Sequence, residues 1–308
     1  MLNHRALLTA KVEGTYNVDS VPTGAANAIL LEKFSWSFAN ARMAQRMPLR
    51  TSQGKLKDLY AGTLVSFKFD VEIKGSGVAG TAPEVGPLLK ACQLSETIVG
   101  GTSVTYKPAS SGGTSLSMYF YRDGKAIRAT GCVGKVSGSV AVGQPGKLSF
   151  EFLGHFVSET DVALATPTYL ATLPVPAIGA AFSLDSTTFA LTKLDFDLGI
   201  TVAVPDNIVA TDGYGTLQIV DRNPTATLDP EDVLAGTYNF VAKWTNGVAV
   251  TFSTGLIGTV AGNRYTITAP AMVLAEQSPG DKGGIATREL KLKLAESVVD
   301  DEFSCAFT

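Results

Sequence analysis

Three groups of residues have types and spacings that could do chemistry. Gly75-Ser76-Gly77-Val78-Ala79-Gly80 spells GxGxxG after an alternating strand and before a short helix, with Glu96 further on. In a βαβ unit such a turn aims a helix N-terminus at a pyrophosphate. Asp195 and Asp197 lie on one face of a strand, about 7 Å apart by strand rise, a separation that could suit an inverting glycosidase. Asp300-Asp301-Glu302 offers carboxylate oxygens of the kind calcium takes. Beside these stand two histidines, His4 and His155, and three cysteines, Cys92, Cys132 and Cys305.

Each group has a plainer reading. Pro83 and Pro87 interrupt the helix after the glycine run, and its neighbours read as antiparallel strands, so the run is expected to be a flexible strand exit. Asp195 and Asp197 fit the solvated face of an alternating strand, with no aromatic cluster beside them and no burial to raise one pKa. The acidic triplet lacks the Gly-interrupted oxygen pattern of a calcium loop and reads as a charged turn. There is no GxSxG and no CxxC, neither histidine has a partner at i+3 or i+4, and an odd cysteine count leaves at least one thiol unpaired. No catalytic residue, no metal site and no cofactor is expected, and the enzyme reading is set aside.

The elements that would hold these residues are strands. Phe34, Trp36 and Phe38 alternate with Ser35 and Ser37, and Phe67, Phe69, Val71 and Ile73 alternate with Lys68, Asp70, Glu72 and Lys74. Period two means one buried and one polar face. The same pattern recurs at Leu116-Met118-Phe120, Leu148-Phe150-Phe152, Leu194-Phe196-Leu198, Tyr265-Ile267 and Leu290-Leu292-Leu294. Asp123-Gly124 and Asn246-Gly247 supply the positive-φ residues of tight hairpins. The fold class is therefore all-β, mainly antiparallel, with one or two short helices. One helix is expected over about 83–94, where Val85, Leu88, Leu89 and Cys92 recur at helical spacing, and a second is expected to start at Asp229-Pro230-Glu231-Asp232.

Composition narrows the function. The 308 residues are 45% apolar and only 17% charged, with mean hydropathy +0.18, yet no apolar run is long enough for a membrane helix, which needs about 18 residues or more. The apolar surplus must be covered by something other than lipid. A net charge of -3 lacks the basic footprint of duplex binders. Ala6-Leu7-Leu8-Thr9-Ala10 is too short and polar for a signal-peptide core, and the chain is expected to fold in a reducing cytosol. Charge is segregated between two long stretches. Arg42, Arg46, Arg50, Lys55 and Lys57 occur without an acidic residue between Arg42 and Lys57. Pro205 to Asp232 carries Asp206, Asp212, Asp221, Asp229, Glu231 and Asp232 against Arg222 alone. Long loops in compact domains are usually functional, and opposite potentials register an interface, so these are read as complementary arms engaging neighbouring subunits.

The chain also echoes itself. DLYAGT at 58–63, leading to Phe67, matches DVLAGT at 232–237, leading to Phe240; GTSVTYKP at 101–108 echoes GNRYTITAP at 262–270; KLSFEF at 147–152 echoes ELKLKL at 289–294. Three echoes in the same order suggest duplication. The boundary falls in the Ala/Thr/Pro stretch 161–180, between a first domain at 1–160 and a second, diverged one at 181–308.

The stretches LLTAKVEGTYNVDSVPTGAANAILL at 7–31, EIKGSGVAGTAPEVGPLLKACQLSET at 72–97 and TSVTYKP at 102–108 resemble tail tube (major tail) proteins of long, non-contractile-tailed bacteriophages. GTVAGNRYTITAP at 258–270 and DDEFSCAF at 300–307 resemble them more loosely. The resemblance implies two tandem β-sandwich or barrel tail-tube-like domains, the first with an N-terminal arm at 1–28, a long loop at 41–60 and the helix near 83–94. It implies a structural virion protein, assembled in the host bacterial cytoplasm, whose rings stack into the tube for DNA ejection. Two domains per chain would make trimeric, pseudo-hexameric rings, with hexameric rings as the alternative. Implied partners are further copies of the chain and the tail terminator, tail tip and tape measure proteins. Genomic DNA would pass without specific binding, and no membrane is involved. Arg42, Arg46, Arg50, Lys55 and Lys57 are then inter-ring candidates, and Asp221, Asp229, Glu231 and Asp232 their acidic complement. A conduit that lets polyanionic DNA slide needs a neutral-to-acidic lumen, for which Asp70, Glu72, Asp195 and Asp197 are candidates. The rival reading is a tail-tip or host-attachment protein built from immunoglobulin-like modules.

Overall fold

The computed structural model describes Leu2 and residues 5–308, so His4 lies outside the described residues. The first half contains β1 (Ala6–Val12), β2 (Ala28–Ile29), β3 (Glu32–Ala39), β4 (Met43–Ala44), β5 (Leu59–Tyr60), β6 (Leu64–Glu72), β7 (Leu94–Val99), β8 (Ser103–Pro108), β9 (Leu116–Arg122), β10 (Lys125–Ala141) and β11 (Lys147–Asp161). The second contains β12 (Ser183–Leu184), β13 (Thr187–Thr188), β14 (Lys193–Asp197), β15 (Thr201–Ala203), β16 (Gln218–Asp221), β17 (Thr225–Leu228), β18 (Val250–Ser253), β19 (Tyr265–Lys282), β20 (Ile285–Ala295) and β21 (Ser304–Phe307). Three short helices, α1 (Gly24–Asn27), α2 (Gly86–Ala91) and α3 (Phe240–Thr245), complete the described elements. The chain is mainly antiparallel β, as the alternating pattern requires.

Followed strand by strand, the first-half ladder runs β3-β6-β11-β10-β9-β1. The second-half ladder runs β14-β17-β20-β19-β18-β12. The strands occupy these places in the same chain order, and α2 and α3 fall at the same point of each series, before β9 and before β18. The end of β10 pairs with β14, Ser137 opposite Asp197 through Ala141 opposite Lys193, which welds the two ladders into one sheet. Strand β21 lies between β19 and β8 and so adds the β7–β8 hairpin to the second-half ladder. Traced through all these pairings, no path returns to its starting strand, so among the described residues the sheet is open.

Packing explains the faces. In β6, Val65, Phe67, Phe69 and Val71 are buried; in β11, Leu148, Phe150 and Phe152; in β14, Leu194 and Phe196; in β20, Leu290, Leu292 and Leu294. They belong to one apolar cluster that runs through both halves. Each such side chain, fully buried, contributes about 1.5–3 kcal/mol. Within the cluster Phe34 stacks on Phe120 with ring centroids 3.7 Å apart, and Phe196 packs on Phe303 at 5.1 Å.

Local signals were used as expected at some turns and differently at others. Asp123 and Gly124, both at positive φ, close the β9–β10 hairpin between Arg122 and Lys125. The helix expected over 83–94 is the shorter α2, with Pro87 in its first turn. No helix starts at Asp229: its carboxylate accepts the N–H groups of Thr192 at 3.1 Å and Lys193 at 2.9 Å and so fixes the start of β14. The helix begins instead at Phe240, capped by the Asn239 side chain, which accepts the Ala242 N–H at 2.9 Å. Asn246-Gly247 makes no hairpin; Gly247 at φ +59° ends this helix, the usual αL solution at a helix C-terminus. Of the three echoes, KLSFEF and ELKLKL fall on corresponding strands, β11 and β20. The DVLAGT echo leads into α3 rather than a strand, and GTSVTYKP lies on β8, whose place in the ladder differs from that of β19.

Candidate functional site

An extended polar surface is the outer side of the sheet across the β10–β14 weld. Because side chains alternate, residues opposite one another in successive ladders form rows on this face. One row reads Asp70, Ser149, Ser137, Asp197, Thr225 and Lys293 across β6, β11, β10, β14, β17 and β20. The next reads Glu72, Lys147, Ser139, Asp195, Thr227 and Lys291. All four carboxylates singled out as lumen candidates, Asp70, Glu72, Asp195 and Asp197, therefore stand on one continuous face.

Lysines share that face, and carboxylates pair with five of them, while among the described residues the exposed Lys135 and Lys293 have no carboxylate within ion-pair distance. Lys33 meets Asp70 at 3.1 Å, Lys68 meets Glu151 at 2.9 Å, and Lys147 meets Glu32, Lys193 meets Asp195 and Lys291 meets Glu276, each at 2.6 Å. The Glu32 hydrogen bond holds the Lys147 pKa above the ordinary lysine range, and the Glu276 hydrogen bond does the same for Lys291. Ser149 donates its hydroxyl to Asp70 at 2.6 Å, and Gly199 donates its N–H to Asp197 at 2.8 Å. Such exposed pairs add little stability, about 0–1 kcal/mol each. Their effect is to leave the surface dense in polar groups yet close to neutral. It has no acid and base pair placed for catalysis, since Asp195 is occupied by Lys193 and Asp197 by a backbone N–H.

The basic stretch is a long excursion whose root is the two-residue ladder β4–β5. Arg46, Arg50, Lys55 and Lys57 are exposed along it, and Arg50 donates to the Gly54 carbonyl at 3.5 Å. Its apolar residues Met47 and Leu49 are 77% and 103% exposed, so nothing in the subunit covers them. Arg42, at the root, is bound within the chain: it pairs with Asp206, donates to the Gly213 carbonyl at 3.2 Å and lies 3.9 Å from the Tyr214 ring centroid. The acidic stretch is not one loop, because β16 and β17 lie inside it. Asp221 ends β16 and accepts the Arg222 N–H at 2.9 Å. Asp229 is spent on β14. Glu231 makes a backbone β-bridge to Thr287 and is itself exposed. Asp232 accepts from Arg288 at 2.7 Å, which holds its carboxyl below the usual range.

Several buried groups escaped sequence reasoning because their partners lie far along the chain. His155 is 4% exposed, with Nε2 2.9 Å from the Tyr16 hydroxyl and Nδ1 2.6 Å from the Asp212 carboxylate. The Tyr16 oxygen accepts the Leu217 N–H at 2.7 Å, so its own proton goes to Nε2 and Nδ1–H donates to Asp212. Burial pushes the Tyr16 hydroxyl up to about 12, which keeps that proton in place. The arrangement orients an imidazole as a catalytic triad does, but with a protonated tyrosine where a nucleophile would be. It ties the N-terminal segment and β11 to the 205–217 loop. Glu13 is similarly enclosed, accepting from Ser115 at 2.6 Å, Ser117 at 2.8 Å and the N–H groups of Asn17 at 2.8 Å and Gly131 at 2.9 Å.

The glycine run is a packed contact rather than a flexible exit. Gly75 N–H donates to Asn263 Oδ1 and Gly77 N–H to the Gly262 carbonyl, both at 2.9 Å. A Cβ on Gly75 would stand 2.1 Å from the Gly262 oxygen, so glycine is needed for the close approach of two backbones. In the acidic triplet, Asp300 and Glu302 are held by Arg222, and Asp301 accepts from Ser297 N–H at 2.9 Å and its hydroxyl at 2.6 Å. Among the described residues no three His, Cys, Asp or Glu side chains gather to hold a metal ion. The three cysteines are buried and unbridged. Burial raises the pKa of each thiol, so none offers a thiolate nucleophile near neutral pH.

A family model described as phage tail tube protein matches residues 1–300. No curated protein matches the chain.

Proposed function

Because the chain belongs to the phage tail tube protein family, we propose that three copies close into a ring, that rings stack, and that the polar face across β10 and β14 lines the channel for the genome. The protein is a structural component of the virion tail and not an enzyme. The finer reading is two tandem modules, 1–160 and 181–308 joined by 161–180, each a sandwich or barrel of tail tube type. Its support is the matched order of the two ladders. Three chains then supply six modules with pseudo-sixfold symmetry. Subunits assemble in the host cytoplasm, with the tail terminator and tail tip proteins at the ends of the tube and the tape measure protein within it.

The observation that carries this reading is the charge pairing on the continuous face. Each phosphate gripped by an unpaired lysine would add counterion-release affinity and hold DNA in place. On this face Lys33, Lys68, Lys147, Lys193 and Lys291 are each answered by a carboxylate within 3.1 Å, which leaves Lys135 and Lys293, among the described residues, as the exposed lysines of these rows without one. The arm at 41–60, with Arg46, Arg50, Lys55 and Lys57 and the uncovered Met47 and Leu49, reaches the adjacent ring. The test is negative-stain microscopy of the purified protein. Rings or tubes of uniform bore are expected; a monomer that persists at high concentration across all salt conditions would contradict the reading.

A further inference from the structure

The chain leaves the sheet at 40–63, between β3 and β6, and again at 198–224, between β14 and β17, which hold the same two places in the second ladder. The two excursions are equivalent in position and opposite in form. The first carries the exposed arm. The second folds back on itself at 205–215, where the Gly215 N–H donates to the Pro205 carbonyl at 2.8 Å and the Asn207 N–H to the Gly213 carbonyl at 3.0 Å. This folded loop sits against the root of the arm.

The contacts fall where the arm departs. Asn40 turns the chain out of β3 at φ +51°, a conformation that asparagine tolerates better than most residues, and its carbonyl accepts the Tyr214 hydroxyl. The root closes through the Arg42 N–H on the Gly62 carbonyl and the Ala61 N–H on the Arg42 carbonyl, both at 2.9 Å. The Arg42 guanidinium lies 3.9 Å from the Tyr214 ring centroid and donates to the Gly213 carbonyl at 3.2 Å and to Asp206. A Cβ on Gly62 would stand 1.9 Å from the Asp212 carbonyl oxygen, so the two backbones touch. Beneath these contacts, the Asp212 carboxylate accepts the Tyr214 N–H at 3.1 Å on Oδ1 and the His155 Nδ1–H at 2.6 Å on Oδ2. Tyr214 is 2% exposed, so the residue that grips Asn40 and underlies Arg42 is itself locked by Asp212.

We infer that the 205–215 loop is a clasp that fixes the direction in which the arm leaves the subunit, and that the buried His155–Asp212 pair holds the clasp shut. One module's excursion thus aims the other's. A segment whose root is fixed before it meets a partner has less freedom to lose on binding, so the clasp leaves only the part of the arm beyond β4 and β5 to be ordered by contact. That benefit rests on the proposed role of the arm in stacking, whereas the clasp itself is a property of the free subunit. Its particular consequence is coupling: removing a carboxylate buried under the sheet should loosen a root made of other residues.

The test is amide hydrogen exchange in the free full-length subunit, with the Ile73 amide, bonded to the Gly146 carbonyl at 2.7 Å beyond the far end of β6, as the internal reference. Asp212→Ala breaks two of the clasp's hydrogen bonds and should speed exchange of the Arg42 and Ala61 amides by about tenfold, local opening becoming easier by that factor. The Ile73 amide should keep its rate. Faster exchange at Asn207 and Gly215 with unchanged rates at Arg42 and Ala61 would overturn the clasp, because the loop would then have come loose without releasing the root. If Asp212→Ala does not fold, Tyr214→Phe decides, since it keeps the ring and removes only the hydroxyl on Asn40; about threefold faster exchange at Arg42 and Ala61 is expected for one lost hydrogen bond, and unchanged rates would overturn the clasp. Tubes of ordinary length from a variant whose root exchanges faster would instead remove the arm from the account of stacking and leave the clasp standing.

Discussion

Strands β14 and β3 hold the same place in two ladders of the same order, yet β14 is paired on both edges and β3 on one. Burial follows pairing. Phe196 of β14 is 5% exposed, while its counterpart Trp36 remains half-buried and Phe38, two residues on, is 50% exposed. The difference teaches that folding alone pairs the second-half strand on both edges and leaves the first-half strand with one edge open in the subunit. A subunit can therefore be stable and still carry an apolar, strand-competent edge, which is the surplus that the composition left without a cover.

The largest expected effect breaks this comparison directly. Phe196→Ala removes a buried aromatic from the weld and should cost the free subunit about 3–5 kcal/mol in urea unfolding, whereas Trp36→Ala should cost less than half as much and chiefly impair tube formation. Equal losses in the free subunit would show that the two edges are not in different states. Next comes Gly138, where a Cβ would stand 2.4 Å from Phe196 Cζ and 3.0 Å from the Lys147 carbonyl oxygen. Gly138→Val should destabilise the subunit by about 1–3 kcal/mol, read from the same denaturant curve.

A smaller effect concerns pH. Burial alone would raise the Asp185 carboxyl, but Lys243 at 2.6 Å, the Thr251 N–H at 2.9 Å and the Tyr238 hydroxyl at 3.1 Å outweigh it and hold its pKa below the usual value. A carboxyl depressed on folding contributes stability above its unfolded pKa of about 3.9, and that contribution is lost as pH falls through the lower folded value. Asp185→Asn should lower stability at neutral pH and flatten the acid loss between about pH 4 and pH 2; an unchanged acid limb would refute the clamp. Smallest for the subunit is reversal of the arm. Arg46→Glu/Arg50→Glu should change folding stability by no more than about 0.5 kcal/mol yet shorten tubes, most at low salt, where screening is weakest. Tube lengths unaltered in low salt would remove the arm's charge from the account of stacking.

Local pattern revealed the strands and hid their partners. Alternation at Phe67-Phe69-Val71 and at Leu290-Leu292-Leu294 reported buried faces, and Asp123-Gly124 reported its hairpin, because those features depend on nearest neighbours in sequence. The pairing of Cys305 with Tyr106 or of Ser137 with Asp197 joins residues far apart in the chain and leaves no local trace. Asn246-Gly247 was ambiguous because the same positive-φ glycine serves a hairpin or a helix end. The polar face was legible residue by residue at Asp70, Glu72, Asp195 and Asp197. Its neutrality was not, since that depends on Lys68 facing Glu151 and Lys147 facing Glu32 across ladders.

An averaged cross-section of the assembled tube at a resolution that separates strands tests the central claim most directly. The account requires three chains per ring, with β6, β11, β10, β14, β17 and β20 around the bore and their paired lysines and carboxylates facing it. Rings of six chains, or a bore lined by other strands, would contradict it.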